Sequence, residues 1–182
     1  MSDSFYPTSG IVGARIGKLD TTAEFALGTR INGSAGTVWV YAKAGEEIAA
    51  NRYVCIDTLG DAYLGTKTRI DRGETVAFNT APSELTTGTS TPTAQTVPIN
   101  NYTWFLIAGS VAAGTAANSV VRVSTRNSAA KNVAVYTSAT SGVVGTASSG
   151  QTKIEGVVLL TNSTASMQSV AAIVTFPRSG AI

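Results

Sequence analysis

Beyond residue 36 the apolar residues of this chain come only in short runs, each closed by Gly, Asn, Asp or Ser. None of them repeats at helical spacing over three turns. Residues 37–43 alternate Val38, Val40 and Ala42 with Trp39, Tyr41 and Lys43, which gives a strand one compact face and one aromatic face. Runs of the same kind follow at 52–57, 62–66 and 74–79, then at 102–108, 119–125, 132–137, 153–160 and 168–176. Strands of this length, spaced by turn residues, predict an all-β fold: a β-sandwich or β-barrel of short antiparallel strands. The only helix-compatible stretches are brief, such as 45–50 and the Ala-rich 112–117.

Residues 1–36 differ from the rest. They hold Gly10, Gly13, Gly17, Gly28, Gly33 and Gly36 among isolated apolar residues that keep no period, which predicts an extended N-terminal arm. Such an arm is free to lie on its own domain or to add as a strand to a neighbour. Residues 37–182 then form a single β-rich domain, a size that buries roughly two-thirds of the unfolded surface without a disulfide or metal. Within it, residues 82–101 carry three prolines and a dense run of threonine, and are expected to form a long exposed loop. An internal echo links Trp39 and the turn Ala49-Ala50-Asn51 to Trp104 and Ala116-Ala117-Asn118, as if one hairpin were used twice.

Chemistry has little to work with. The chain has no histidine and one cysteine, and after Glu74 its only acids and bases are Glu84, Arg122, Arg126, Lys131, Lys153, Glu155 and Arg178. Charged residues make up 13% of the chain, about half the roughly 25% usual in soluble proteins. Cys55 sits in a strand-like run and reads as a small buried hydrophobe. A nucleophilic site would need a Ser–Lys pair, with Lys131 or Lys153 near Ser128, Ser148 or Ser149. A carboxylate pair would have to come from Glu46, Glu47, Asp57, Asp61, Asp71, Glu74, Glu84 or Glu155. Neither set has a diagnostic spacing, so the expectation is no enzyme, with no catalytic, cofactor-binding or metal residues. Residues 10–19 contain Gly17-Lys18, but Leu19 stands where a phosphate-binding loop needs Ser or Thr. Trp39 and Trp104 lie inside apolar strands and are expected in the core.

Net charge is +2 with no basic run, which disfavours nucleic acid as a partner. The apolar runs are far shorter than the roughly 20 residues that span a bilayer, so no membrane partner is expected either. The N-terminus, MSDSFYPTSG, shows neither the basic nor the apolar region of a secretory signal.

Residues 27–57 (LGTRINGSAGTVWVYAKAGEEIAANRYVCID), 102–109 (YTWFLIAG), 135–142 (VYTSATSG) and 154–160 (IEGVVLL) resemble, in that order, small structural proteins of tailed-phage morphogenesis clusters. That family is commonly taken for head decoration, or capsid cement, proteins. The chain departs from its pattern at Val135, where the family has Leu, and in the length of 82–101. The resemblance implies a β-rich virion protein, made in the host cytoplasm and placed on the capsid surface. It also implies the major capsid protein as partner, and a homo-oligomer with a trimer favoured. The Thr-rich 82–101 leaves a second reading open, a virion fibre or adhesion module that binds a host-surface glycan; a carboxylate hydrolase is the third.

Overall fold

The computed structural model describes residues 14–33, 36–80, 94–109, 121–126, 128–146, 149–165 and 168–180. Among these residues the fold is all-β apart from one five-residue helix. Strands β2 (Val38–Ala44), β3 (Tyr53–Ile56), β4 (Asp61–Leu64), β5 (Thr75–Phe78) and β6 (Tyr102–Gly109) close into a barrel in the order β2-β4-β3-β5-β6 and back to β2. The closing ladder is antiparallel and sets Trp39 opposite Leu106, and Tyr41 opposite Trp104. A short strand β1 (Arg30–Asn32) shares the other edge of β2 with β4: β1 takes Val38 to Val40, and β4 runs parallel at Lys43 and Ala44.

The remaining strands repeat that plan. Strands β7 (Arg122–Thr125), β8 (Val135–Thr137), β9 (Val144–Gly145), β10 (Lys153–Leu159) and β11 (Gln168–Ser179) pair in the order β7-β9-β8-β10-β11, and β11 returns to β7. In each half the first strand runs parallel to the third, and every other pairing is antiparallel. The chain is thus two five-stranded circuits of one topology, joined where Val174 and Thr175 of β11 meet Gly109 and Ala108 of β6.

The repeat differs from the one the sequence suggests. Trp39 and Trp104 lie on strands that pair with each other, so their likeness reflects shared burial on one ladder. Strand β3 pairs with β4 and β5 and makes no hairpin with β2. Asn51 does occupy a turn, at φ 60°; Asn118 lies outside the described residues.

Side-chain alternation divides the core in two. Val40, Ala42, Val54, Ile56, Ala62, Ala77, Phe105 and Ile107 fill the first barrel, capped by Ile48 and Val97. The opposite faces of the same strands present Trp39, Tyr41, Tyr53, Phe78 and Trp104. These belong to one continuous cluster with the second barrel's Val123, Val135, Val144, Ile154, Val157, Val170 and Val174. Strands β3 and β6 are therefore buried on both faces, which is why residues 102–108 read as an almost unbroken apolar run.

The predicted strands fall within a few residues of the observed ones, and the structure adds detail in the segments between them. Residues 45–50 form no helix; Ile48 bridges to Val97 instead. The helix is α1 (Lys67–Asp71), whose N-cap Thr66 accepts a hydrogen bond from the Arg69 amide, with Ile70 buried beneath it. Residues 81–93 lie outside the described residues, but the end of the expected exposed loop turns inward, with Val97 fully buried. The described part of the N-terminal segment lies on its own barrel, and Ala14, Ile16 and Ile31 are in the core.

Two substitutions test this packing. A β-bulge between Glu155 and Val157 places Gly156 at φ 78°, where an added Cβ would lie 2.3 Å from the Thr175 carbonyl oxygen. Gly156→Ala should cost roughly 2–3 kcal/mol in denaturant titrations. The hydroxyl of fully buried Tyr53 has no hydrogen-bond partner among the described residues. Tyr53→Phe removes an unsatisfied polar atom and should leave stability unchanged or raise it by about 1 kcal/mol; a loss of that size would mean the hydroxyl is satisfied.

Candidate interaction surface

The aromatic face of β2 and β6 is where a ligand platform would be sought, and it is covered from within the chain. Phe25 sits 5.3 Å from the ring centres of both Tyr41 and Trp104, edge-on to the tyrosine at 86°. Tyr41 and Trp104 are themselves 5.0 Å apart, and Tyr102 stacks on Tyr41 at 6.3 Å. Polar contacts fix this lid in register. The Tyr41 hydroxyl donates to Asp20 Oδ2 at 2.8 Å and accepts from the Glu24 amide at 3.2 Å. Lys18 Nζ stands 2.7 Å from Asp20 Oδ1 and also pairs with Glu24. Asp20 and Tyr102 exchange both backbone hydrogen bonds.

The buried Asp20 carboxylate is thus compensated by an ammonium and a phenol, as a buried charge requires. Hydrogen bonds to Asp20 and Glu24 hold the Lys18 ammonium above its ordinary range. Burial raises the Tyr41 phenol, and Asp20 adds to the effect. Trp39 and Trp104 are in the core, so neither ring is offered to solvent.

Five of the acids weighed as catalysts, Glu46, Asp57, Asp71, Glu74 and Glu155, serve local structure. Glu46 Oε1 accepts from the Leu64 amide at 2.7 Å, and Asp57 Oδ1 accepts from the amides of Leu59 and Asp61, closing the β3–β4 turn. Asp71 pairs with Lys67 at 2.5 Å and accepts from the Thr152 hydroxyl at 2.6 Å, tying α1 to the start of β10. Glu74 pairs with Arg69, and Glu155 lies between Lys153 and Arg178. Lys153 is therefore engaged with a carboxylate, while the Lys131 amide donates to Asn162. Glu84 and Ser148 lie outside the described residues. Among the described residues no three His, Cys, Asp or Glu side chains come together as a metal site would need.

Several apolar side chains and hollows face outward. Leu27 and the 76% exposed Leu59 flank a hollow of about 140 Å³ at one end of the first barrel. Val133 and Val158 flank a shallow groove of about 440 Å³ between residues 132–135 and 153–158 of the second. Phe176, 55% exposed, stands on β11 next to the Gly156 bulge. A separate cleft of about 310 Å³ opens beside Arg126, Ser138 and Gly145. None of these features was nominated by sequence. Val133, Val158 and Phe176 sit within strand-like runs, where exposure depends on a bulge that a lone glycine does not announce. Beside the groove, Lys153 and Arg178 are both paired with Glu155, so a partner docking there meets a cation pair already offset by an acid.

Two measurements follow from the buried thiol and the helix tie. Cys55 is fully buried, and burial pushes its thiol up to about 12. On the order of one molecule in 10⁴ carries a thiolate at pH 8. Native protein should resist a disulfide reagent at that pH and react at once when unfolded; fast native labelling would contradict the packing. Hydrogen bonds from Lys67 and then Thr152 hold the Asp71 carboxyl below its ordinary 3.8. A depressed carboxyl stabilises the fold above its unfolded value and loses that contribution as pH falls through the folded one. Asp71→Asn should therefore flatten the loss of stability seen in wild type as acid is added below about pH 4, with little change in slope near neutrality.

No protein-family model, no curated protein and no solved structure matches this chain.

Proposed function

We propose that the protein is a structural component of a tailed-phage virion, a decoration protein that binds the outer face of the capsid and stabilises the shell. The observation that carries this reading is the character of the second barrel's surface. Glu155 pairs with both Lys153 and Arg178 there, Val133 and Val158 flank a shallow groove, and Phe176 stands exposed on β11, a patch with little to desolvate against a protein lattice. The segments that resemble the decoration family support it from another side. Residues 102–109 are β6, 154–160 run along β10, 135–142 carry β8 into its turn, and 27–57 span β1 to β3. The likeness thus lies in the scaffold that shapes this surface.

A protein of this kind acts by mass action. Each copy binds the assembled lattice and not the free capsid subunit, so the shell gains stability with occupancy. The partner is the major capsid protein, and copies that associate around a capsid symmetry axis, with three at a threefold position favoured, gain avidity over a single contact. The site of action is then the virion surface.

Purified heads of the encoding phage, stripped of this protein, should bind it saturably and resist heat better when loaded. Val158→Asp places a charge in the groove and should weaken that binding by roughly tenfold or more, with the circular dichroism spectrum unchanged. Heads that take up no protein, or protein found by electron microscopy only on tail structures, would overturn the proposal.

A further inference from the structure

The shared topology lets positions in the two barrels be equated through the one parallel ladder in each. In the first, Ala44 pairs with Ala62, and the Gly45 amide donates to the Ala62 carbonyl at 2.9 Å. In the second, Thr125 pairs with Val144, and the Arg126 amide donates to the Val144 carbonyl at 2.8 Å. Gly45 therefore corresponds to Arg126, and Tyr63 to Gly145.

These matched positions are built in opposite ways. In the first barrel the Tyr63 ring lies so close to Gly45 that a Cβ there would be 2.4 Å from it, and the Arg69 guanidinium lies 3.9 Å over the ring centre. An aromatic ring and a guanidinium fill the place. In the second barrel a glycine stands where the tyrosine stood. A Cβ added at Gly145 would meet only Arg126 Cδ at 3.8 Å and, at 4.0 Å, Arg126 Cγ and Ser138 Cβ. The space left by the missing ring is the 310 Å³ cleft, within the range of small-molecule sites, roughly 300–1,000 Å³.

The lining of the cleft is basic and rich in hydroxyls, and no acid is among its described residues. Arg126 is exposed and forms no ion pair among the described residues. Gln151 uses its Oε1 to accept from the Thr137 hydroxyl at 2.7 Å, which leaves its NH₂ to donate elsewhere. Ser138 is held by Thr140, its hydroxyl donating to the Thr140 carbonyl at 2.9 Å. A fixed serine, an oriented amide and the Thr146 hydroxyl thus surround a ring-sized space with a guanidinium at its edge.

We propose that this cleft binds a pyranose that carries a carboxylate, the unit found in uronic and sialic acids. The sugar ring takes the place that Tyr63 fills in the first barrel, the carboxylate pairs with Arg126, and the ring hydroxyls bond Ser138, Thr146 and Gln151. The site is separate from the groove at Val133 and Val158, and it holds whether or not the protein sits on a capsid.

Amide NMR titrations of the full chain with glucuronate and with N-acetylneuraminate test this, with glucose and sulfate run in parallel. At least one sugar acid should shift residues 126, 138, 145, 146 and 151 saturably, and glucose and sulfate should each bind about tenfold more weakly or worse. Arg126→Gln, at an exposed position, should weaken the sugar acid by a similar factor. Gly145→Tyr restores the first barrel's arrangement at a backbone outside the left-handed region and should abolish binding. Absence of saturable shifts with both sugar acids, sulfate bound as tightly as either, or undiminished binding in Arg126→Gln would overturn the proposal.

Discussion

The β2–β6 ladder is the contact on which the rest of this molecule depends. It joins Val40, Ala42, Phe105 and Ile107 on one face and Trp39, Tyr41, Trp104 and Leu106 on the other, so it cannot leave either face in water. Exposing a large apolar side chain forfeits roughly 1.5–3 kcal/mol, and a domain has only about 5–15 kcal/mol in hand. Three or four uncovered rings would therefore unfold it. The first barrel closes over the aliphatic face, while the N-terminal segment and the second barrel cover the aromatic one. The contact of half-buried Lys18 with buried Asp20 and Tyr41 belongs to the same requirement, because a lid held by apolar contact alone could slide along the ladder.

Much of this is legible in the sequence because strand alternation is a local signal. The two faces of residues 37–43, the core placement of both tryptophans and the inert setting of Cys55 all follow from period-two patterning. Pairing is a long-range property and is not legible in that way. Strands β1 and β9 are three and two residues long and leave no pattern to read. The parallel contacts β2–β4 and β7–β9 join strands that no hairpin connects. Helix α1 exists because Thr66 caps it and Ile70 has a core to enter, and neither residue advertises a helix alone. The true repeat was hidden for the same reason: it resides in the order of pairings, while the visible echo of the two tryptophans marks neighbours on one ladder. The cleft shares that fate. Arg126 and Gly145 are unremarkable letters until the two ladders are laid side by side.

The halves share a plan and divide the work. The first carries most of the aromatic residues, the N-terminal lid and most of the paired charge, and strands β3 and β6 are buried on both faces. The second has aliphatic filling, a glycine bulge, a groove and a cleft. One copy of the plan is packed over on most sides, and the other leaves more of its outer surface open. The Thr152 hydroxyl donating to Asp71 connects them at the side.

Closure of both circuits bears on crowding. A strand whose two edges are already taken offers no ladder on which another molecule can grow, and among the described residues only short β1 stands outside the rings. Copies brought together at high concentration would have few backbone edges through which to zip into fibrils. Any lattice they form must be knitted from side chains, which can be remodelled without disturbing the rings beneath.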